Sequence, residues 1–185
     1  MEKLKLKEYL DAEISVLKDL HGIRWIIRFL DAMLYYPEYN AIFLLRFCYV
    51  YLNARGIIGL LRKHYNRVLV NRYGIYFNMS SQSVIGVGLK LPHPSSIIFG
   101  SGVKIGDNCV IYQNVTLGAK KRDPKIPKGH FKYPIIGDNC IIYAGAVIIG
   151  EIHIADGSQI GANSVLLTDT EKDSIYAGVP AKRIG

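Results

Sequence analysis

From Ile136 onward the chain repeats every six residues. Ile136, Ile142, Ile148, Ile154, Ile160 and Leu166 open successive hexads, so an aliphatic side chain stands at each opening place. An α-helix cannot use an interval of six, because successive repeats would rotate around its surface, and a plain strand needs an interval of two. A triangular β-solenoid can use it: each hexad makes one short flat strand, three hexads complete a coil, and every opening residue points into the prism. The fifth place also faces inward, and it holds Cys140, Ala146, Ile152, Ser158 and Ser164, all small or apolar. The chain is therefore expected to be mainly β.

The same rhythm runs upstream through Ile85 and Leu91, and then through Phe99, Ile105, Ile111 and Leu117. Leu91 and Phe99 are eight residues apart instead of six, so two extra residues bulge from the wall within Pro92-His93-Pro94-Ser95-Ser96. A second break separates Leu117 from Ile136, where the basic segment from Ala119 to Pro134 leaves the prism as a loop. Function is expected at such interruptions, because the regular wall already satisfies its own packing.

The first seventy or so residues follow a different period. Leu6, Leu10, Ile14 and Leu17 form a stripe at helical spacing, with Gly22 as the expected stop. A second helix from about Arg24 is expected to end before Pro37, and Asn40 is placed to cap a third that is apolar nearly all round from Ala41 to Leu52 except at Arg46. That run is too short to cross a bilayer, which takes about 20 residues. A fourth helix, around Ile57 to Val70, sets Ile57, Leu61, Tyr65, Val68 and Leu69 against Arg62, Lys63 and Arg67. Such a helix suits packing on the solenoid flank or a neighbouring subunit, and it also suits an anionic membrane surface. Gly74 marks the change of period, which divides the chain into a helical domain, residues 1–73, and a solenoid domain, residues 74–185.

The 185 residues are 50% hydrophobic with a net charge of +8, enough for one good core. From Tyr39 to Gly106 there is no Asp or Glu, while Arg46, Arg55, Arg62, Lys63, Arg67, Arg72, Lys90 and Lys104 all fall inside. This zone reads either as a solvated basic face or as a surface for anions such as a nucleotide phosphate, an acidic sugar polymer or a membrane. Cys48, Cys109 and Cys140 have no metal-like spacing, and the last two occupy inward fifth places, so small buried residues are expected and no metal. Reduced thiols and the lack of a secretory signal pattern at the first residues suit a cytoplasmic protein, with peripheral contact at the inner membrane face through the basic helices as the alternative to their packing. Nucleic acid is not among the expected partners.

Ile85-Gly86-Val87-Gly88-Leu89-Lys90-Leu91-Pro92-His93, Gln113-Asn114-Val115-Thr116-Leu117-Gly118, the pair Gly145-Ala146 and Ala177-Gly178-Val179-Pro180-Ala181-Lys182 together resemble the hexapeptide-repeat acetyltransferases. More narrowly, they resemble the serine O-acetyltransferase branch, which also holds saccharide O-acetyltransferases of capsule, O-antigen and colanic acid synthesis. The resemblance runs from about Gly74 to the end. It implies a left-handed parallel β-helix, a homotrimer with a site built from two neighbouring chains, and acetyl-coenzyme A as co-substrate.

Acetyl transfer from a thioester to a hydroxyl needs a group that takes the hydroxyl proton as the oxygen attacks, and imidazole suits that near neutral pH. His93 sits in the bulge between two prolines, and it also matches the family's catalytic histidine. His21, His64 and His153 read as structural. Coenzyme A is expected along an outer groove where only small side chains let it approach backbone, which makes Gly118, Ala119, Ala144, Gly145 and Ala162 candidates, with Lys182 and Arg183 placed for its phosphates. Two departures from the serine enzymes bear on the acceptor. Pro92 stands where they carry an aspartate, with a second aspartate aligning near Tyr76, and their second active-site histidine falls at Tyr133 or at Asp123. Tyr133, Asp123 and the loop residue His130 are the acceptor-binding candidates. An acid-free zone offers serine's ammonium no carboxylate close in sequence, so a saccharide hydroxyl is the expected acceptor, with serine, as in cysteine biosynthesis, the alternative. A non-catalytic solenoid scaffold is the competing class.

Overall fold

The computed structural model describes residues 4–78, 80, 82–120 and 131–185. Four α-helices come first: α1 (Leu6–Glu13), α2 (Gly22–Tyr35), α3 (Pro37–Val50) and α4 (Gly56–Tyr73), with a short 3-10 turn at Ser15–Leu17. Pro37 takes the first turn of α3, where its missing N–H costs nothing. Two expectations are corrected here. Gly22 begins α2 instead of ending the first helix; its φ of +59° makes the reversal between turn and helix, and a glycine marks either side of such a junction equally. Asn40 lies inside α3, where its amide donates to the Met33 carbonyl (3.1 Å) and its oxygen accepts from the Tyr73 hydroxyl (3.0 Å).

Helix α4 ends on Gly74 at φ +64°, with the Gly74 and Ile75 N–H groups donating back to the Val70 and Leu69 carbonyls. From there the chain winds as a prism. The first coil holds β1 (Tyr76–Phe77), β2 (Val84–Ile85) and a bridge at Lys90; the second holds β3 (Ile98–Phe99), β4 (Lys104–Ile105) and β5 (Val110–Ile111). The third holds β6 (Thr116–Gly118), β7 (Ile135–Ile136) and β8 (Ile141–Ile142), and the fourth β9 (Val147–Ile149), β10 (His153–Ile154) and β11 (Gln159–Ile160). A last partial coil carries β12 (Val165–Leu166) and β13 (Ile175–Gly178), and β14 (Ala181–Arg183) folds back antiparallel on β13 to close that end. Equivalent strands of successive coils pair parallel, giving three walls in the orders β1-β3-β6-β9-β12, β2-β4-β7-β10 and β5-β8-β11-β13.

Every hexad-opening residue is buried inside the prism, as are Cys140, Ala146, Ile152, Ser158 and Ser164 at the fifth places. Each fully buried aliphatic side chain contributes about 1.5–3 kcal/mol relative to exposure. Cys109 and Cys140 are buried and unpaired by disulfide, and burial pushes the Cys48 thiol on α3 up to about 12. The edge between the second and third walls is held by an aspartate ladder: Asp107 accepts from the Val87 N–H, Asp138 from Asp107 and Asp156 from Asp138, at 2.7–2.8 Å. The glycine before each turn leaves room for it. A Cβ on Gly106 would stand 2.3 Å from the Asp138 carboxylate and 2.6 Å from the Gly137 backbone.

The first coil has no coil beneath it, so its outward carbonyls need other donors. Arg46 supplies them: its guanidinium donates to the Ile85 carbonyl (3.1 Å) and the Gly86 carbonyl. It also forms an ion pair with Glu13 and lies 4.1 Å over the Tyr9 ring. Glu13 accepts in turn from the Leu89 N–H at 3.1 Å. Both side chains are fully buried. Burial raises the Glu13 carboxyl above its ordinary value, against the opposing pull of Arg46 and the Leu89 N–H. The reading of Arg46 as part of an open basic face is corrected accordingly. One continuous core joins residues of α1, α3 and α4 to the coils. Helix α4 contributes Leu69 and Tyr73 to it, with Tyr65 and Val68 packed alongside. Ile23, Ile27, Leu30 and Leu34 of α2 and Ile57 and Leu60 of α4 face outward, and no helix among the described residues is long and apolar enough to cross a membrane.

Arg46→Met should lower stability by about 3–5 kcal/mol in urea unfolding, because Glu13 would be left buried without its partner. The double change Glu13→Leu with Arg46→Met should recover only the part of that loss due to the stranded Glu13 charge, because the Ile85 and Gly86 carbonyls and the Leu89 N–H are left without partners.

Candidate active site

The bulge lies on the edge between the third and first walls, and short bonds on both sides brace it. The Ser95 N–H donates to the His93 carbonyl (2.8 Å), the Ser96 N–H to the Tyr73 carbonyl at the end of α4 (2.8 Å), and the Asn114 N–H to the Ser95 carbonyl (2.9 Å). Pro94 is buried while His93 is exposed, so the imidazole is presented outward from a fixed base. Its ring stands 6.1 Å from that of Tyr112, and Tyr112 stacks on Tyr143 at 5.5 Å with 17° between planes. The Tyr143 hydroxyl lies 3.3 Å from Gln159 Oε1, to which it donates.

Beside this aromatic ladder runs a column of small residues. The Asn163 N–H donates to the Ala144 carbonyl (2.8 Å) and the Gly145 N–H to the Gln113 carbonyl (3.0 Å), which stacks Gln113, Ala144 and Ala162 at the corners of successive coils. Gly145, at φ +74°, sits so close to the next corner that a Cβ would fall 2.1 Å from Asn163 Oδ1. The structure thus brings Ala144, Gly145 and Ala162 to the edge that carries His93.

It does not bring the other candidates there. Gly118 ends β6 and Ala119 follows it at the edge between the first and second walls, where the Gly150 N–H donates to the Gly118 carbonyl (3.0 Å). Tyr133 lies on that same far edge, with its ring on Gly100 and Gly102; a Cβ on Gly100 would be 2.6 Å from the ring. The ring therefore fills a glycine-lined recess of its own chain. Lys182 and Arg183 lie on β14 at the closed end of the prism; Lys182 is exposed, and Arg183 is ion-paired with Glu171 and donates to the Gly185 carbonyl (3.1 Å). His130 and Asp123 lie outside the described residues. His21, His64 and His153 are exposed, just before α2, on α4 and on β10.

Tyr112, Tyr143 and Gln113 were not among the sequence candidates. The Gln113 Oε1 is buried with no hydrogen-bond partner among the described residues, directly beneath the corner that carries the bulge. The signal was available: aligning the hexads that begin at Leu91, Ile111 and Ile142 places Pro92, Tyr112 and Tyr143 in one column. The 31-residue separation of the two tyrosines conceals it.

Residues 133–168 match the family model for the bacterial transferase hexapeptide, six repeats. Over those residues the chain is similar to that family. Its prism is the left-handed parallel β-helix expected from the resemblance. The chain is 31% identical over 157 residues to a serine acetyltransferase of Synechococcus elongatus, an alignment covering 84% of this chain and 60% of that protein. Among solved structures it is similar to the serine acetyltransferase of Neisseria gonorrhoeae (TM-score 0.74, 26% identity, 97% of this chain and 66% of that one). It is likewise similar to the serine acetyltransferase of Brucella abortus in complex with coenzyme A (TM-score 0.70, 25% identity, 97% of this chain and 67% of that one). The chain thus spans about three-fifths to two-thirds of these relatives' length.

These names run against the expected saccharide acceptor, because the relatives are serine acetyltransferases. The earlier reading rested on the acid-free stretch from Tyr39 to Gly106, and that stretch folds directly against two carboxylates from outside it, Glu13 and Glu38. It also rested on Tyr133 as a stacking platform, whereas that ring is packed on Gly100 and Gly102.

Proposed function

We propose that this chain is an O-acetyltransferase that moves the acetyl group of acetyl-coenzyme A to the hydroxyl of serine, with His93 as general base. The observation that carries the reading is the exposed imidazole of His93, held on a braced break in an otherwise regular wall beside the small residues Ala144, Gly145 and Ala162. The names of the relatives and the coenzyme A complex of one of them support it. In this reading His93 takes the hydroxyl proton as the serine oxygen forms its bond to the acetyl carbon. The carbon–sulfur bond then breaks and the proton passes to the leaving thiolate of coenzyme A, so the base is restored. In this reading the small side chains of Ala144, Gly145 and Ala162 leave the backbone of that column open to the thioester arm.

The separation of the candidates supports a shared site. His93, Ala144, Gly145 and Ala162 lie on one prism edge, and Gly118 and Ala119 lie on another. One rigid prism cannot bring its own two edges together. A threefold ring can set one edge of each copy against the other edge of its neighbour, and it closes without leaving a free surface of either kind.

His93→Ala should reduce turnover by roughly 100-fold to 10,000-fold, the range for loss of a general base, with the thermal unfolding midpoint unchanged because the side chain is exposed. Thiol release from acetyl-coenzyme A on adding serine measures this directly, and a variant as active as the parent would refute the role. Light scattering should return three times the 20.7 kDa chain mass at assay concentration. A monomer that retains full activity would refute the shared site.

A further inference from the structure

Between the helices and the first coil lies a cavity of about 250 Å³ whose wall includes Pro92, the residue before His93. It is too small for coenzyme A or a sugar chain, since pockets for drug-sized ligands begin near 300 Å³. Its lining carries charges of both signs. Glu38, in the first turn of α3, is half-buried, and Lys90 on the first coil is exposed. Neither side chain has an ion-pair or hydrogen-bond partner among the described residues. Glu13 also lines the cavity, but Arg46 and the Leu89 N–H already occupy its carboxylate. The Ser15 and Tyr39 hydroxyls, 2.8 Å apart, complete the polar lining.

A free amino acid carries an ammonium and a carboxylate on one carbon. A binding site for it needs one unpaired group of each sign within a small volume, and this cavity supplies that pair with Pro92, the chain neighbour of His93, in its wall. We propose that it is the amino-acid subsite: Glu38 binds the ammonium of serine, Lys90 binds its carboxylate, and the hydroxyl is left facing His93. This rests on the reading that the chain acetylates serine. It assigns the recognition of the acceptor to the helical segment, with Glu38 supplying the carboxylate that Pro92 and Tyr76 do not.

Crossing two variants with three acceptors tests it. Serine carries both charges, ethanolamine only the ammonium and 3-hydroxypropionate only the carboxylate. Glu38→Gln should raise KM about 10- to 100-fold for serine and ethanolamine and leave 3-hydroxypropionate unaffected, as expected for the loss of one charge-assisted hydrogen bond. Lys90→Met should do so for serine and 3-hydroxypropionate and leave ethanolamine unaffected. In both variants kcat and the KM for acetyl-coenzyme A should stay near the parent values, and Glu38→Asp should restore part of the serine KM. An equal loss on all three acceptors would mean a structural role and overturn the subsite. So would unchanged serine KM in both variants of a serine-active parent, leaving serine acetylation itself intact. A parent inactive on serine would overturn both.

Discussion

The buried pair of Arg46 and Glu13 is the contact on which the joining of the two halves depends. A parallel solenoid ends in backbone groups that the next coil would have paired, and leaving them buried without partners costs about 1–3 kcal/mol each. Arg46 and Glu13 together satisfy two carbonyls and one N–H of the first coil. Taking two charges out of water is itself costly, so the pair is a poor source of net stability compared with apolar packing. What it supplies is registration. The guanidinium bonds to Ile85 and Gly86 and to the α1 carboxylate at once, which fixes α1 and α3 against that coil.

That registration reaches the bulge by a short route. Helix α3 is held by Arg46, α4 packs on α3, and the last carbonyl of α4 accepts the Ser96 N–H. His93 is thus positioned from the helices below as well as from the coil above. The cavity beside Pro92 exists for the same reason: α3 brings Glu38 to the first coil while Arg46, two turns further along, ties that helix to the coil's edge. The chemical groups lie where the repeat is interrupted, and the uninterrupted walls act as a rigid frame for them.

The solenoid was legible because its constraint is one-dimensional. Each hexad must present an aliphatic at its first place and a small or apolar residue at its fifth, and Ile136 through Leu166 do so without help from distant residues. The bulge was equally plain, since two extra residues in a strict period have nowhere to go but out. The helices were legible as elements but not at their junctions. Gly22 and Asn40 have the same composition signal at the start, the end or the interior of a helix, and only the packed chain distinguishes these.

The identity of the acceptor was not legible, and the reason is electrostatic. Charge acts through space, whereas a count of acids along the chain measures distance in sequence. Sequence by itself determined the period, the coil, the edge on which His93 stands and the burial of Cys109 and Cys140. Tertiary structure alone decided that Arg46 is spent internally on Glu13, that Tyr133 fills a recess on the other edge, and that Glu38 and Lys90 line one cavity with Pro92. Periodic burial is a local rule repeated along the chain; pairing of charges is settled only when segments far apart in sequence are brought together.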